Sequence, residues 1–353
     1  MKPTVMTVGG WFDAEDLQGP LRTSDFIGKN SPPAVNMLVM GPWTHGGFAR
    51  GEGDRVGNVS FGVKTGVFFR EKIEFPFFLY FLKGKGDGQF PRAWIFETGT
   101  NEWRQFDTWP PREAKSQTLF LDGKGKLAWQ RPETSGADEY ISDPNRPVPY
   151  IDRIALGMRA DYMTEDQRFA ATRPDVLVYQ TEPLDHDVTV LGPIAVDLKI
   201  STSGTDSDFV VKLIDVYPGD YPNPAIAPGA PANPNAIPMG GYQQLVRGEP
   251  FRGRFRKSFE KPEPFEPGKP DHIAYRMPDV AHTFRQGHRI MVQVQSSWFP
   301  LTDRNPQKFV EVGKARPTDF TKATERVYFG GADGSKIELP IWRGDAGASG
   351  GKL

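Results

Sequence analysis

The sequence predicts two kinds of fold in succession: a parallel sheet with helices over residues 1–114, then an all-β jelly-roll sandwich over residues 115–346. Residues 4–8 and 36–41 are short, uninterrupted apolar runs, which are typical of strands covered on both faces. After the phrase Trp109-Pro110-Pro111-Arg112, short strand-like runs follow one another without helical periodicity between them. The 38 glycines and 33 prolines fit the many turns that such a sandwich needs.

The segment between the two apolar runs predicts a helix from Glu15 to Ile27, which Gly19-Pro20 must break or restart. Residues 347–353 predict a flexible tail. The strands expected in the second part are 118–121, 176–179, 194–200, 209–217, 242–246, 272–277, 289–295, 326–329 and 337–341. Because open α/β sheets carry their sites at the carboxyl ends of strands, functional residues are expected just past the two apolar runs.

Composition excludes several classes of protein. The 43 basic and 44 acidic residues give a net charge of −1, so neither nucleic acid nor a membrane surface is expected as a partner. The absence of cysteine excludes disulfides, a thiolate nucleophile and cysteine-bound zinc. No apolar run approaches the roughly 20 residues of a membrane span. The compartment is left open, with a periplasmic or secreted location slightly ahead of a cytoplasmic one.

Two phrases end these apolar runs, Val8-Gly9-Gly10-Trp11-Phe12-Asp13 and Met40-Gly41-Pro42-Trp43-Thr44-His45-Gly46. In an α/β-hydrolase the catalytic triad follows the chain in the order nucleophile, acid, histidine. Asp13 and His45 are therefore predicted to be the acid and the histidine. Such a triad would place the nucleophile upstream of Met1.

The chemistry explains why these two residue types belong together. The histidine must take a proton from a serine, and a carboxylate bonded to its other ring nitrogen fixes the required tautomer. The alternative is that Asp13 caps a helix and His45 is an ordinary loop histidine. The residues alone leave the two interpretations evenly balanced.

The same phrases resemble the CocE/NonD hydrolases, a family with cocaine esterase, X-Pro dipeptidyl-peptidase, glutaryl-7-aminocephalosporanic acid acylase and α-amino acid ester hydrolase among its members. Further phrases that carry the resemblance are Gly53-Asp54-Arg55, Val59-Ser60-Phe61-Gly62, Phe96-Glu97-Thr98-Gly99-Thr100-Asn101-Glu102-Trp103, Ser296-Ser297-Trp298-Phe299-Pro300 and Asp303-Arg304-Asn305-Pro306. The resemblance implies the C-terminal part of an α/β-hydrolase core followed by a jelly roll. In it, Asp13 matches the triad acid and His45 the triad histidine.

The phrase Asp13-Ala14-Glu15-Asp16 is most similar to the α-amino acid ester hydrolases. There, two acids just after the triad aspartate help to bind the α-ammonium group of the substrate, with a third acid from earlier in the chain. The resemblance therefore implies that Glu15 and Asp16 bind substrate. Clustered carboxylates attract a cation, but acids at a helix start also complement its dipole, which is the alternative.

The sequence departs from the family at the nucleophile. The family pattern Gly-x-Ser-Tyr-x-Gly is absent, and Asn58-Val59-Ser60-Phe61-Gly62 lacks its first glycine and follows the histidine. The chain is therefore expected to be inactive alone and to need a missing N-terminal hydrolase part. A homo-oligomer is left open.

Three functions compete. The first is the C-terminal part of a serine hydrolase that cleaves small α-amino acyl esters or amides, of the β-lactam acylase or ester hydrolase type, through an acyl-enzyme. The second is an X-Pro dipeptidyl-peptidase or general acyl esterase. The third is a non-catalytic β-sandwich binding module, which aromatic residues such as Trp298 would serve. No cofactor or metal is expected, because the remaining histidines lack metal-ligand spacing: His186, His272, His282 and His288.

Overall fold

The computed structural model describes residues 3–32, 35–224 and 236–344. The predicted tail at 347–353 lies outside these residues. The described strands are β1 (Val5–Gly10), β2 (Asn36–Gly41), β3 (Arg55–Val56), β4 (Val59–Ser60), β5 (Ala93–Glu97), β6 (Glu102–Phe106), β7 (Lys115–Asp122), β8 (Lys126–Ala128), β9 (Gly136–Ser142), β10 (Leu177–Gln180), β11 (Val188–Thr202), β12 (Asp208–Val216), β13 (Gln243–Arg252), β14 (Asp271–Phe284), β15 (Arg289–Gln295), β16 (Ala323–Phe329) and β17 (Lys336–Trp342). The described α-helices are α1 (Gln18–Asn30), α2 (Thr65–Phe68), α3 (Phe75–Lys83) and α4 (Arg168–Ala171).

The first sheet has the strand order β1-β2-β5-β6, in which the first three strands run parallel and β6 is antiparallel to β5. Helix α1 connects β1 to β2, as a parallel pair requires a crossover. All six residues of β2 are buried, which explains its uninterrupted apolar run. The last register pair of β1 and β2 is Gly10 with Gly41, so both strands end at the same edge of the sheet.

Helix α1 begins later and ends later than the sequence predicted. Residues 14–17 form a turn, and the helix runs without interruption from Gln18 to Asn30. Pro20 lies in its first turn, where the missing N–H would have no intrahelical acceptor, so the proline does not break the helix. The expected break at Gly19-Pro20 was therefore wrong.

Helices α2 and α3 are joined by a π-helical stretch, Phe69–Glu74, and cover one face of the first sheet. Pro76 lies at the start of α3, where its missing N–H costs no intrahelical hydrogen bond. Phe69, Ile73 and Phe77 pack in one apolar cluster with Trp43 and residues of β2. The aromatic density of this segment therefore serves the core around the loop that follows β2.

The second sheet is an eleven-stranded hydrogen-bonded network with the order β13-β12-β15-β10-β8-β7-β17-β11-β16-β9, and β14 pairs with β11. It encloses an apolar core to which alternate residues of β11 contribute, namely Val196, Leu198 and Ile200. Apart from the short α4 and single helical turns, the described residues of this part are strands and loops. The all-β character that the sequence predicted for the C-terminal part is confirmed.

Several strands are longer than predicted, and some were missed. Strand β11 continues past Pro193 because the ladder carries a bulge between Gly192 and Ile194, where a proline costs no regular hydrogen bond. Strand β9 escaped prediction because it lies at one end of the sheet order and its apolar residues do not alternate with polar ones: Ala137 and Ile141 are exposed, while Tyr140 is buried.

The two parts share both apolar surface and backbone hydrogen bonds. One cluster contains Trp11 and Leu38 from the first part with Leu245 and Met291 from the second. Just past β5, the N–H of Thr98 donates to a carbonyl of β14, and a β14 N–H donates back to the Thr98 carbonyl. The end of the first sheet is therefore fixed to the sandwich. No helix among the described residues has the length and apolar character to cross a bilayer.

Candidate active site

The loops that follow β1 and β2 are joined to each other beyond the ends of their strands. The N–H of Trp11 donates to the carbonyl of Gly41 over 2.8 Å, and the N–H of Phe12 to the carbonyl of Trp43 over 3.1 Å. A Cβ on Gly10 would lie 2.2 Å from that Trp43 carbonyl oxygen, so only glycine allows the second loop to pass this closely. The paired strand ends and this close approach place the loop that carries Asp13 beside the loop that carries His45.

Asp13 and His45 are in contact. Nδ1 of His45 lies 3.2 Å from Oδ1 and 3.1 Å from Oδ2 of Asp13. A carboxylate only accepts hydrogen bonds, so Nδ1 carries the proton and Nε2 is left as an acceptor. The side chain of Asp13 is 8% exposed and that of His45 is 54% exposed. Nε2 of His45 is therefore exposed, while the buried Asp13 carboxylate at Nδ1 fixes the tautomer of the ring.

Asp13 also caps the turn that leads into α1. Its Oδ1 accepts hydrogen bonds from the N–H groups of Glu15 and Asp16, over 2.9 and 3.0 Å. The alternative from the sequence was a helix cap, but the N-cap of α1 is Leu17. Asp13 instead holds the preceding turn, alongside its contact with His45. The two backbone donors fix the orientation of the carboxylate that holds the histidine.

A buried tryptophan anchors the histidine loop. The indole of Trp43 donates to Oγ1 of Thr65 over 2.8 Å, and its ring packs edge-on against Phe69. Three residues after Trp43, Gly46 adopts a φ of +67°, which turns the loop sharply after His45. The sequence supplied the phrase Trp-Thr-His-Gly but no indication that its tryptophan holds the loop.

A second buried tryptophan anchors the aspartate loop. The indole of Trp11 donates to the carbonyl of Phe96 over 2.8 Å, and the ring of Phe12 stacks on Phe61. Sequence reasoning missed both contacts, because their partners lie at least 49 residues away along the chain. The only available signal was a run of aromatic residues between the glycines and Asp13.

Glu15 and Asp16 are both exposed beside the pair. The carboxylate of Asp16 leans back over the start of α1, since a Cβ on Gly19 would lie 2.1 Å from its Oδ1. That position suits interaction with the dipole of the helix.

Two of the other histidines form a buried cluster in the sandwich. Asp215 accepts hydrogen bonds from Nε2 of His282 over 3.2 Å and from Nδ1 of His288 over 2.8 Å. Burial opposes ionisation of Asp215, but these hydrogen bonds outweigh it and hold the pKa of that carboxyl below its usual range. The remaining two, His186 and His272, are exposed. No described group of three or more His, Asp or Glu side chains is arranged to hold a metal ion.

Residues 85–338 match the domain described as the X-Pro dipeptidyl-peptidase C-terminal non-catalytic domain. The matched range is more than half of the chain. The chain belongs to this family. The hydrolase resemblance inferred from the motifs is confirmed, and so is the inference that the chain corresponds to the C-terminal part of such proteins.

This family member is similar to several characterised hydrolases. It is 31% identical over 352 residues to cocaine esterase of Rhodococcus sp. (strain MB1 Bresler), a match that covers 96% of this chain and 56% of the esterase. Among solved structures, an aminopeptidase from the marine sediment archaeon Thaumarchaeota archaeon is 39% identical with a TM-score of 0.88, over 97% of this chain and 55% of that one. An α-amino acid ester hydrolase is also 39% identical with a TM-score of 0.88, over 96% and 56%. The chain therefore spans about half the length of the relatives it matches.

Proposed function

We propose that this chain is the C-terminal part of a serine hydrolase and supplies the acid and the histidine of its triad. The observation that carries the proposal is the contact of Asp13 with His45 at the ends of two paired parallel strands. Nε2 of His45 has no hydrogen-bond partner among the described residues and is open to a nucleophile. An N-terminal part that bears the serine would account for the half of the relatives that this chain does not span.

In the complete enzyme the serine hydroxyl would attack the acyl carbonyl while Nε2 of His45 takes its proton. His45 then gives that proton to the leaving alcohol or amine as the acyl-enzyme forms. In the second half of the reaction His45 takes a proton from water, which attacks the acyl group, and returns it to the serine. Asp13 stabilises the imidazolium that exists in both steps, and the turn around residues 13–16 holds its carboxylate in place.

The same proposal divides the chain at residue 114. Residues 1–114 would complete an α/β-hydrolase domain, which is supported by three parallel strands with α1 between the first two. Residues 115–346 would form the jelly roll, which is supported by the eleven-stranded network and the large apolar core that it encloses.

We further propose that the substrates are small α-amino acyl esters or amides, with Glu15 and Asp16 at the α-ammonium group. Both acids are exposed next to Asp13, and the ester hydrolase structure at 39% identity acts, by its name, on α-amino acid esters. The β-lactam acylase or ester hydrolase type belongs to this class of substrate.

A peptide substrate is the second candidate, and one observation favours it. The archaeal aminopeptidase is as similar to this chain as the ester hydrolase is, with the same identity and TM-score. A peptide N-terminus also presents an α-ammonium group, so the two acids suit an X-Pro dipeptidyl-peptidase or aminopeptidase equally well. A general acyl esterase would not need them.

The alternative of a sandwich that binds ligands without catalysis loses its candidate residue. Trp298 is 2% exposed and packs edge-on against Tyr162, so it offers no face to a ligand. The aromatic side chain that the sequence offered for this role therefore belongs to the core.

A fluorophosphonate probe, which reacts with activated serines, tests the proposed function. We expect stoichiometric labelling of one serine in a polypeptide that joins the upstream half to this chain, and none in this chain alone. His45→Ala should abolish labelling of the joined polypeptide while its circular dichroism is unchanged. Labelling of this chain alone at a single serine, or a folded joined polypeptide that resists the probe, would contradict the proposal.

A further inference from the structure

Arg247, on β13 of the sandwich, is a buried cation that makes no ion pair with any described residue. It is 2% exposed. Its Nη1 donates to the carbonyl of Trp11 over 3.2 Å and its Nη2 to the carbonyl of Asp279 over 3.0 Å, while Nε has no partner. Burial lowers the pKa of Arg247 to about 10, against the attraction of nearby acidic groups. The guanidinium thus lies in the interior with two backbone carbonyls as its hydrogen-bond partners.

Stability of the sandwich does not explain such a residue. Taking a charge out of water is costly, and an apolar side chain of similar volume fills an interior at least as well. What the guanidinium reaches is specific: the carbonyl of Trp11, two residues before Asp13. The residue therefore connects the sandwich to the loop that carries the proposed triad acid.

Trp11 is the point at which this loop is held from several sides. Its N–H binds Gly41 and its indole N–H binds the carbonyl of Phe96. Its ring lies 5.8 Å from that of Trp109, whose own indole donates to Oδ2 of Asp279 over 2.9 Å. Trp11, Arg247, Asp279 and Trp109 therefore form a closed circuit of contacts.

We propose that Arg247 is a positioning residue for the triad. By bridging the carbonyls of Trp11 and Asp279, it fixes the turn that aims the Asp13 carboxylate at Nδ1 of His45. The domain described as non-catalytic thereby sets the geometry of the catalytic acid. That Arg247 affects catalysis rests on the proposed function. That it orients Asp13 toward His45 is a statement about this chain alone.

The tautomer of His45 reports this geometry directly. In the arrangement described above the proton is on Nδ1, whereas a neutral imidazole released from Asp13 redistributes its proton toward Nε2. Long-range ¹H–¹⁵N correlations on the ¹⁵N-histidine-labelled 353-residue chain distinguish the two tautomers, with the His45 signals assigned by their loss in His45→Ala. A purely structural role for Arg247 would not move this readout.

The variants are Arg247→Lys and Arg247→Met, with Lys212→Met as a matched control. Lys212 is also a fully buried basic residue of the sandwich, on the neighbouring strand β12, but its Nζ donates to Gln167 rather than to Trp11. We expect the Nδ1–H population of His45 to fall from wild type to Arg247→Lys to Arg247→Met. It should stay unchanged in Lys212→Met, and the signals of His282 and His288 should stay unchanged throughout.

A wild-type tautomer population in folded Arg247→Met overturns the proposal. If that variant does not fold, Arg247→Lys decides, because the shorter lysine offers one nitrogen where arginine places a separate nitrogen at each carbonyl; a wild-type population there overturns the proposal as well.

Kinetics in the joined polypeptide give the second readout. Misplacing the acid by a fraction of an ångström to 1 Å should lower kcat of Arg247→Lys by up to about 100-fold and leave KM unchanged, whereas Lys212→Met should leave both unchanged. Equal kcat values in wild type and Arg247→Lys would overturn the statement that Arg247 affects catalysis. If the wild-type joined polypeptide has no turnover, the proposed function fails, and the tautomer measurement still decides whether Arg247 positions Asp13.

Discussion

Gly10 and Gly41 are register partners at the ends of β1 and β2, and this pairing brings Asp13 to His45 across 32 residues of sequence. The loops then remain joined, with Trp43 passing directly over Gly10. The contact between Asp13 and His45 thus depends on the register of the two strands and on the absence of a side chain at Gly10.

Gly10→Ala should therefore separate the two loops. Its Cβ would meet the Trp43 carbonyl oxygen at 2.2 Å, and backbone cannot move aside as a flexible side chain can. We expect a loss of about 1–3 kcal/mol in the free energy of unfolding, the usual range for overpacking, measured by urea denaturation. Gly313→Ala is the control, since its Cβ meets nothing within 4 Å, and an equal effect of both variants would refute the close approach.

Asp13→Asn should separate the two roles of that residue. The amide oxygen can still accept from the N–H groups of Glu15 and Asp16, so the turn should persist. The amide nitrogen cannot accept from Nδ1 of His45, so turnover of the joined polypeptide should fall about 10⁴-fold, as for the equivalent change in serine proteases. Asp13→Ala should in addition cost about 1 kcal/mol of stability through the lost cap. Near-wild-type kcat for Asp13→Asn would remove this residue from the triad.

The acids after Asp13 should affect one substrate and not another. Losing a charge-assisted bond to an α-ammonium group costs about 1.5–3 kcal/mol, or roughly 10- to 150-fold in kcat/KM. Glu15→Gln with Asp16→Asn should therefore penalise phenylglycine methyl ester and spare phenylacetic methyl ester, which lacks the ammonium group. Equal losses on both esters would end the ammonium assignment.

The two single variants should differ, one in thermal stability and the other in substrate specificity. Because the carboxylate of Asp16 leans over the start of α1, we expect Asp16→Asn to lower Tm through a lost dipole interaction of about 0.3–1 kcal/mol. Glu15→Gln should carry most of the loss in specificity, because Glu15 is exposed while the Asp16 carboxylate lies against the start of the helix. The reverse assignment of the two effects would show that Asp16, not Glu15, faces the substrate.

Lys212→Met should stabilise the chain in a pH-dependent way. Burial lowers the pKa of Lys212 to about 7 from an ordinary value of 10.5. Between these values the unfolded chain holds the extra proton, so wild-type stability from this group rises with pH, and the full burial penalty applies below about pH 7. We expect a Tm gain that is largest near about pH 6 and nearly gone by about pH 10, offset slightly by the lost bond to Gln167. The exposed Lys126→Met is the control, and a gain independent of pH would contradict the argument.

The sequence predicted the candidate site because its information is local. Each candidate residue follows a short apolar strand by a few positions, and parallel strands with a helix between them end at one edge. What the sequence could not provide were the partners that come from far along the chain. Neither the Phe96 carbonyl that holds Trp11 nor the sandwich arginine that reaches the same residue leaves a pattern at Asp13.

Strand limits failed for a related reason. A bulge lets β11 run through Gly192-Pro193, although both residues usually end a strand. Strand β9 lies at one end of the sheet order, so much of its side-chain pattern faces water and shows little apolar periodicity. In both cases pairing with neighbouring strands, which is not visible in the segment itself, determines the structure.

The backbone hydrogen bonds between Thr98 and β14 restrict where domains can be exchanged between related proteins. A recombinant that joined a foreign hydrolase to this sandwich at residue 114 would place a foreign segment where Gly99 now lies, and there a Cβ would come 2.0 Å from the carbonyl oxygen of Thr283. It would also replace Glu97, whose Oε1 accepts a hydrogen bond from the Thr283 hydroxyl. The transferable module is thus the sandwich together with the β5–β6 hairpin, and productive crossovers, in evolution or in the laboratory, should fall before Ala93.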